Sequence, residues 1–91
     1  MRKFLLFEDP EHSWLRVPKA EINGTLFAVM SEKCFRDESY YYLSKGRDMD
    51  LFLEKVALAG ETIEVVSVSE PVSSIRKLDT IRRRTNQFKR P

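Results

Sequence analysis

The sequence is poor in the residues that most often form cross-links, metal sites or catalytic centres. It has one cysteine, one histidine and one tryptophan among 91 residues. The lone Cys34 cannot form a disulfide within the chain, so we expect it to be a small buried side chain in a protein of a reducing compartment. A metal site usually needs three or four ligands, and His12 is the only histidine available. We therefore predict no metal, no cofactor and no enzymatic activity.

Long apolar runs are also absent. The run Phe4–Phe7 stops after four residues at Glu8-Asp9-Pro10, which is too short for the apolar segment of a signal peptide. No stretch approaches the roughly 20 apolar residues that cross a bilayer as a helix. These two absences predict a protein without a membrane span, located in the cytoplasm.

The composition that remains is that of one small domain with an uneven distribution of charge. Hydrophobic residues make up 42% and charged residues 33% of the chain, enough for one core and a solvated surface. Residues 76–91 carry seven basic side chains and one acidic, a charge of +6, whereas the remaining nine basic and thirteen acidic side chains give −4. We predict a single domain over residues 1–75 and a basic C-terminal tail over 76–91, helical at its start.

The first part of the chain has the pattern of a β-hairpin. Arg2–Glu8 is rich in Phe and Leu and predicts a largely buried strand. Asp9-Pro10-Glu11 has turn chemistry, because proline presets φ and an aspartate side chain bonds to the backbone two residues on. Ser13–Val17 then alternates, with Leu15 and Val17 predicted to face inward.

The next segment allows two interpretations. Pro18 suits the first position of a short helix that Asn23-Gly24 would end. The same Asn-Gly pair is also a strong signal for a hairpin turn. We favour the helix, followed by a buried strand over Leu26–Met30 that extends towards Phe35.

The second half predicts two further strands and the main helix. Ser39–Leu43 is a strand by its aromatic content, with Tyr40 and Tyr42 on one face and Tyr41 on the other. A helix over Met49–Ala59, capped by Asp48, presents an apolar stripe. The last two predicted elements are a strand over Thr62–Val68 and a thin helical stripe within Ser73–Ile81. The predicted fold class is α+β, a small, mainly antiparallel sheet of about four to five strands with one main helix packed on a face.

The only histidine and the only tryptophan lie in one segment, Asp9–Val17, which makes it the first candidate for a contact surface. His12 lies between acidic turn residues, where a histidine more often bonds the turn backbone than binds a metal. An amphipathic ring such as Trp14 at the start of a hairpin strand is a frequent anchor for a protein partner. We predict a partner-binding surface of His12, Trp14, Arg16 and Tyr41.

The basic residues near the C-terminus are the second candidate. They are Arg82, Arg83, Arg84, Lys89 and Arg90. Each basic group placed on a phosphate releases counterions, so such a cluster predicts salt-sensitive binding to nucleic acid, or alternatively to an acidic protein surface. The same composition also fits a solvated tail that binds no partner.

Four segments resemble a group of small uncharacterised proteins encoded by phages and plasmids. They are Asp9–Pro18, containing Asp-Pro-x-His-x-Trp-Leu-x-Val, then Tyr42-Leu43, Asp50–Glu54 and Ser74–Arg76. Glu11 and Ser13 stand where members of that group tend to have glycine. The resemblance implies a phage accessory protein that acts on a host or phage protein in the host cytoplasm. The resulting hypothesis is a non-enzymatic inhibitor or modulator, with nucleic-acid binding through the basic tail as the alternative.

Overall fold

The computed structural model describes residues 2–71 and 73–82, which form an α+β fold. Its strands are β1 (Arg2–Glu8), β2 (Ser13–Pro18), β3 (Phe35–Arg36), β4 (Tyr40–Ser44), β5 (Ile63–Ser69) and β6 (Asp79–Thr80). Its helices are α1 (Gly24–Ala28), α2 (Arg47–Leu58) and two short 3-10 helices, Lys19–Glu21 and Ser74–Lys77.

The strands form one mixed sheet in the order β5-β1-β2-β4-β3-β6. Strand β5 runs parallel to β1 over the full length of both strands, from Arg2 beside Ile63 to Glu8 beside Ser69. The predicted α+β class is confirmed, but the sheet has six strands and is mixed, so the predicted sheet of four to five mainly antiparallel strands is wrong. Periodicity identifies a strand without giving its direction, and the β1–β5 pairing joins residues about sixty positions apart.

The N-terminal hairpin forms as its sequence predicts. Strands β1 and β2 pair antiparallel, with Leu6 opposite Leu15 and Phe7 opposite Trp14. The backbone closes the turn where Asp9 N–H donates to the His12 carbonyl at 2.9 Å. Leu15 is fully buried on one face of the sheet, and Trp14 lies on the other.

The sheet has two different faces. The covered face packs against α2 in an apolar core in which the Phe4 and Phe52 rings meet edge to face at 5.5 Å. The buried residues of this core include Phe4, Leu15, Val17, Leu43, Phe52 and Val56. The opposite side, called here the aromatic face, carries Phe7, Trp14, Phe35, Tyr40 and Tyr42, with Ile75 and Leu78 packed on it.

Helix α2 confirms the main predicted helix but begins earlier and uses a different cap. It starts at Arg47, after Gly46, whose φ of 109° is a conformation that glycine adopts most readily. The Asp48 side chain does not cap the helix. Its carboxylate is buried and accepts hydrogen bonds from the Ser31 N–H at 3.0 Å and the Ser31 hydroxyl at 2.5 Å.

The helix predicted after Pro18 forms as the 3-10 helix Lys19–Glu21, which ends before Asn23-Gly24, whereas the alternative hairpin turn at Asn23-Gly24 is wrong. Asn23 begins helix α1, because its side chain accepts a hydrogen bond from the Leu26 N–H at 2.8 Å as an N-cap. The strand predicted over Leu26–Met30 is therefore helical as far as Ala28. A short apolar run fits a buried helix as well as a strand, and the asparagine cap decides between them here.

The predicted boundary between body and tail does not hold for residues 76–82. The position after Ile75 falls inside the 3-10 helix Ser74–Lys77. Beyond this helix, β6 pairs with β3, and Ile81 is buried in the core of the covered face. These residues belong to the folded body, and residues 83–91 lie outside the described residues.

Neither α1 nor α2, the α-helices within the described residues, has the length and apolar character that crossing a bilayer requires.

Candidate partner-binding groove

The Asp9 carboxylate organises the turn between β1 and β2. Its Oδ1 accepts hydrogen bonds from the N–H groups of Glu11 and His12, both at 2.9 Å. These bonds match the turn chemistry expected of aspartate at this position. The Asp9 side chain is only 2% exposed, so the carboxylate needs partners for its remaining lone pairs.

Those partners come from the far end of the chain. The Arg76 guanidinium binds both carboxylate oxygens, with Nε 2.6 Å from Oδ2 and Nη2 3.1 Å from Oδ1. The Ser73 N–H also donates to Oδ2, at 3.2 Å. The bond from Arg76, followed by the backbone donors, holds the pKa of Asp9 well below its usual range. One carboxylate thus joins the hairpin turn to the 3-10 helix Ser74–Lys77.

Trp14 lies beneath this junction. It is 3% exposed, and its indole N–H donates to the Lys33 carbonyl at 3.3 Å. The His12 ring meets it edge-on at 4.8 Å, and Phe35 does so at 5.9 Å. The Arg76 guanidinium carbon lies 5.1 Å from the Trp14 ring centre, within the range of a cation–π contact. Trp14 is therefore covered by other side chains and does not protrude from the surface as an anchor for a partner.

His12 and Ser44 form a close side-chain pair, with His12 Nε2 2.6 Å from Ser44 Oγ. A histidine beside a serine can activate a nucleophile, but Ser44 is 2% exposed and a substrate carbonyl has no access to it. Burial, followed by the positive charge of Arg76, lowers the pKa of His12 from its ordinary value of 6.5. The imidazole thus links the turn to β4.

These side chains enclose a shallow groove on the aromatic face. Its lining consists of Glu11, His12, Trp14, Lys33, Phe35 and Arg76. Aromatic rings form its floor, while the exposed Glu11, Lys33 and Arg76 place charges of both signs at its rim. A groove of this kind suits a peptide segment that combines an apolar side chain with charged neighbours.

Two further residues of the predicted partner surface lie elsewhere. Arg16 shares the aromatic face, where its guanidinium carbon is 4.3 Å from the Tyr40 ring centre, but it does not line the groove. Tyr41 points to the covered face and packs against Phe27, with ring centres 5.6 Å apart. The structure therefore brings His12 and Trp14 together but does not bring Tyr41 to them.

Of the basic residues near the C-terminus, the structure describes only Arg82. Its guanidinium donates to the carbonyls of Phe27 at 2.7 Å and Ala28 at 3.0 Å, and to that of Met30. These bonds satisfy carbonyl groups at the end of α1, which gives Arg82 a role within the fold. Arg83, Arg84, Lys89 and Arg90 lie outside the described residues.

Four residues of the groove were not among the predicted site residues, namely Glu11, Lys33, Phe35 and Arg76. Arg76 was counted among the charges of the tail because its sign matches theirs. No local pattern indicated that Asp9 and Arg76 would pair, because the two residues lie 67 positions apart.

No protein-family model matches the chain, and no curated protein or solved structure matches it either. Among the described residues, no group of three or more His, Cys, Asp or Glu side chains is placed to hold a metal ion.

Proposed function

We propose that the protein is a non-enzymatic binding protein that holds a segment of a partner protein in the groove between the hairpin turn and the 3-10 helix Ser74–Lys77. In view of the resemblance to phage and plasmid proteins, we further propose that the partner is a host protein. The protein would inhibit or modulate that partner in the host cytoplasm.

The observation that carries this proposal is the set of bonds around Asp9. Two backbone N–H groups of the turn, one of the C-terminal segment and the Arg76 guanidinium all converge on one carboxylate. Such bonds fix the groove walls before a partner arrives, which lowers the entropy lost on binding. Arg76 remains partly exposed, so one guanidinium can hold the wall and also meet a partner.

The lining also has the composition of contact surfaces. Binding energy in protein interfaces concentrates on arginine and aromatic residues that are shielded from water. Here Trp14 and Phe35 line the groove together with Lys33 and Arg76, and the Arg76 guanidinium lies over the Trp14 ring. The buried hydroxyl of Ser44 supports a non-enzymatic role, because the nearest pair that could carry catalysis is closed to substrate.

The test is quantitative capture from a bacterial host lysate by the immobilised full chain. The groove variant combines Glu11→Lys with Lys33→Glu, which reverses the rim charges and keeps the net charge. The control combines Glu54→Lys with Lys55→Glu on α2, which also keeps the net charge. We expect the wild type and the control to retain the same discrete protein, and the groove variant to lose it, while all three unfold at similar temperatures.

Two outcomes would contradict the proposal. In one, no protein is retained at low or moderate salt. In the other, the groove variant retains the same protein as the wild type. Retained nucleic acid that is lost when residues 83–91 are removed would instead support the nucleic-acid alternative.

A further inference from the structure

The two edges of the sheet differ in length and in protection. Strand β6 forms one edge and has two residues, Asp79–Thr80. Strand β5 forms the other edge with seven residues, Ile63–Ser69. In the part of the chain that the structure describes, no element pairs with the outer side of β5.

Proteins usually protect a long edge strand with lysine, proline or a bulge. Strand β5 contains neither lysine nor proline, and its register with β1 runs without a bulge from Ile63 to Ser69. Val65 and Val66, on opposite faces of the strand, remain 44% and 36% exposed. This edge therefore has the features of a surface that pairs with another strand.

One hydrogen bond shows which backbone N–H and C=O groups of β5 point away from β1. The Glu70 N–H donates to the Glu8 carbonyl at 2.8 Å, so residue 70 points its backbone groups towards β1. Successive residues of a strand point these groups to alternate sides. Residues 64, 66 and 68 therefore bond to β1, while 63, 65, 67 and 69 direct their N–H and C=O groups outward.

We propose that β5 pairs antiparallel with β5 of a second copy of this chain, forming a two-fold symmetric dimer with a continuous twelve-stranded sheet. In the register that pairs every residue of Ile63–Ser69, Val66 lies on the two-fold axis opposite Val66 of the other copy. Val65 then lies opposite Ser67, and the outward backbone groups of both residues are used. A two-fold interface of this kind presents the same surface on both copies.

The charges of the strand favour a second copy in this register. Glu64 is the only charged residue of β5, and it lies opposite Val68 of the other copy, so no like charges face each other. Within its own sheet, Glu64 lies beside Lys3 of β1, and the positive charge of Lys3 offsets the negative charge of Glu64. The dimer does not depend on the groove, which the lining residues place away from β5.

The first test is disulfide trapping in the Val66→Cys variant. Paired residues at a non-hydrogen-bonded position lie about 4.5 Å apart between Cα atoms, within the range of a disulfide. The native Cys34 is fully buried and gives little background. We expect mild oxidation to convert Val66→Cys to a covalent dimer. The matched control is Leu58→Cys, a site that is 82% exposed, and it should form no covalent dimer under the same oxidation.

The second test measures the mass of the full chain in solution by sedimentation or light scattering. Val65→Pro removes an outward N–H and leaves the bonds to β1 in place, so we expect a folded monomer. A second variant, Ser67→Pro, should behave in the same way. A wild type that is monomeric at its solubility limit would overturn the proposal. So would a dimer that survives both substitutions, or equal cross-linking at positions 58 and 66.

Discussion

The two faces of the sheet are stabilised by different interactions. The covered face depends on apolar contact, with Leu15, Val17, Leu43 and Phe52 fully buried against one another. The aromatic face has a smaller apolar cluster around Trp14, and polar bonds to Asp9 complete it. We therefore expect the covered face to provide most of the stability, whereas the aromatic face combines aromatic rings with the charged groups that we propose contact a partner.

The largest expected effect is on the covered face. Phe52→Ala removes a fully buried ring that meets Phe4 edge to face, and such truncations cost about 3–5 kcal/mol. Denaturant unfolding followed by circular dichroism measures this loss. A cost close to that of an exposed substitution would contradict the contrast between the two faces.

A smaller loss of stability is expected from Asp9→Asn on the aromatic face. Asparagine keeps the size of the side chain but loses the charge that binds Arg76, so the turn and the 3-10 helix Ser74–Lys77 should separate more easily. Because folding lowers the pKa of Asp9 from its ordinary 3.8, its contribution is complete above that pH and is lost on acidification.

Unfolding free energies measured from neutral pH down to about pH 2 check this sign. Wild type should lose more stability than Asp9→Asn as the pH falls below the ordinary carboxyl pKa. Parallel curves of unfolding free energy against pH for the two proteins would show that ionised Asp9 does not stabilise the aromatic face.

His12→Gln should lower the free energy of unfolding by less than Asp9→Asn does. Its effect should also depend on pH over a different range. Removing the bond to Ser44 costs about 1 kcal/mol. Folding lowers the pKa of His12 from 6.5, so wild-type stability should decline as the pH falls below that value. The variant should show a flatter profile between about pH 5 and 7. If the unfolding free energy of the variant changed with pH in that range as steeply as that of the wild type, a group other than His12 would be responsible.

The smallest effect is expected from Lys77→Ala, because Lys77 is an exposed residue beside Arg76 in the same 3-10 helix. Substitutions at such surface positions usually change stability by less than about 0.5 kcal/mol. Lys77→Ala is therefore the control for Arg76→Ala, and thermal unfolding compares the two. Equal losses would mean that the bond to Asp9 adds nothing to stability.

Local patterns predicted the elements whose signals lie within one segment of the chain. The hairpin of β1 and β2, the strands β4 and β5 and the helix α2 are all of this kind. The pairing of β5 with the distant β1 has no such local signal. Asn23 was ambiguous because asparagine suits a turn, a helix end and an N-cap, and only the bond to Leu26 distinguishes them.

Only two of the six groove residues were predicted, for a related reason. His12 and Trp14 stand out because each is the only residue of its type in the sequence. Arg76 reaches the groove through a bond to Asp9, across 67 positions, and its sequence context is that of a basic tail. A contact of this range depends on the path of the whole chain, which periodicity and composition do not encode.

Binding of the partner in the groove is tested by the affinity of the captured partner for the full chain, measured by titration calorimetry. The groove variant with Glu11→Lys and Lys33→Glu should bind at least about tenfold more weakly than the wild type, a difference of about 1.4 kcal/mol. The α2 control with Glu54→Lys and Lys55→Glu should match the wild type. Equal affinity of the groove variant and the wild type would contradict the account.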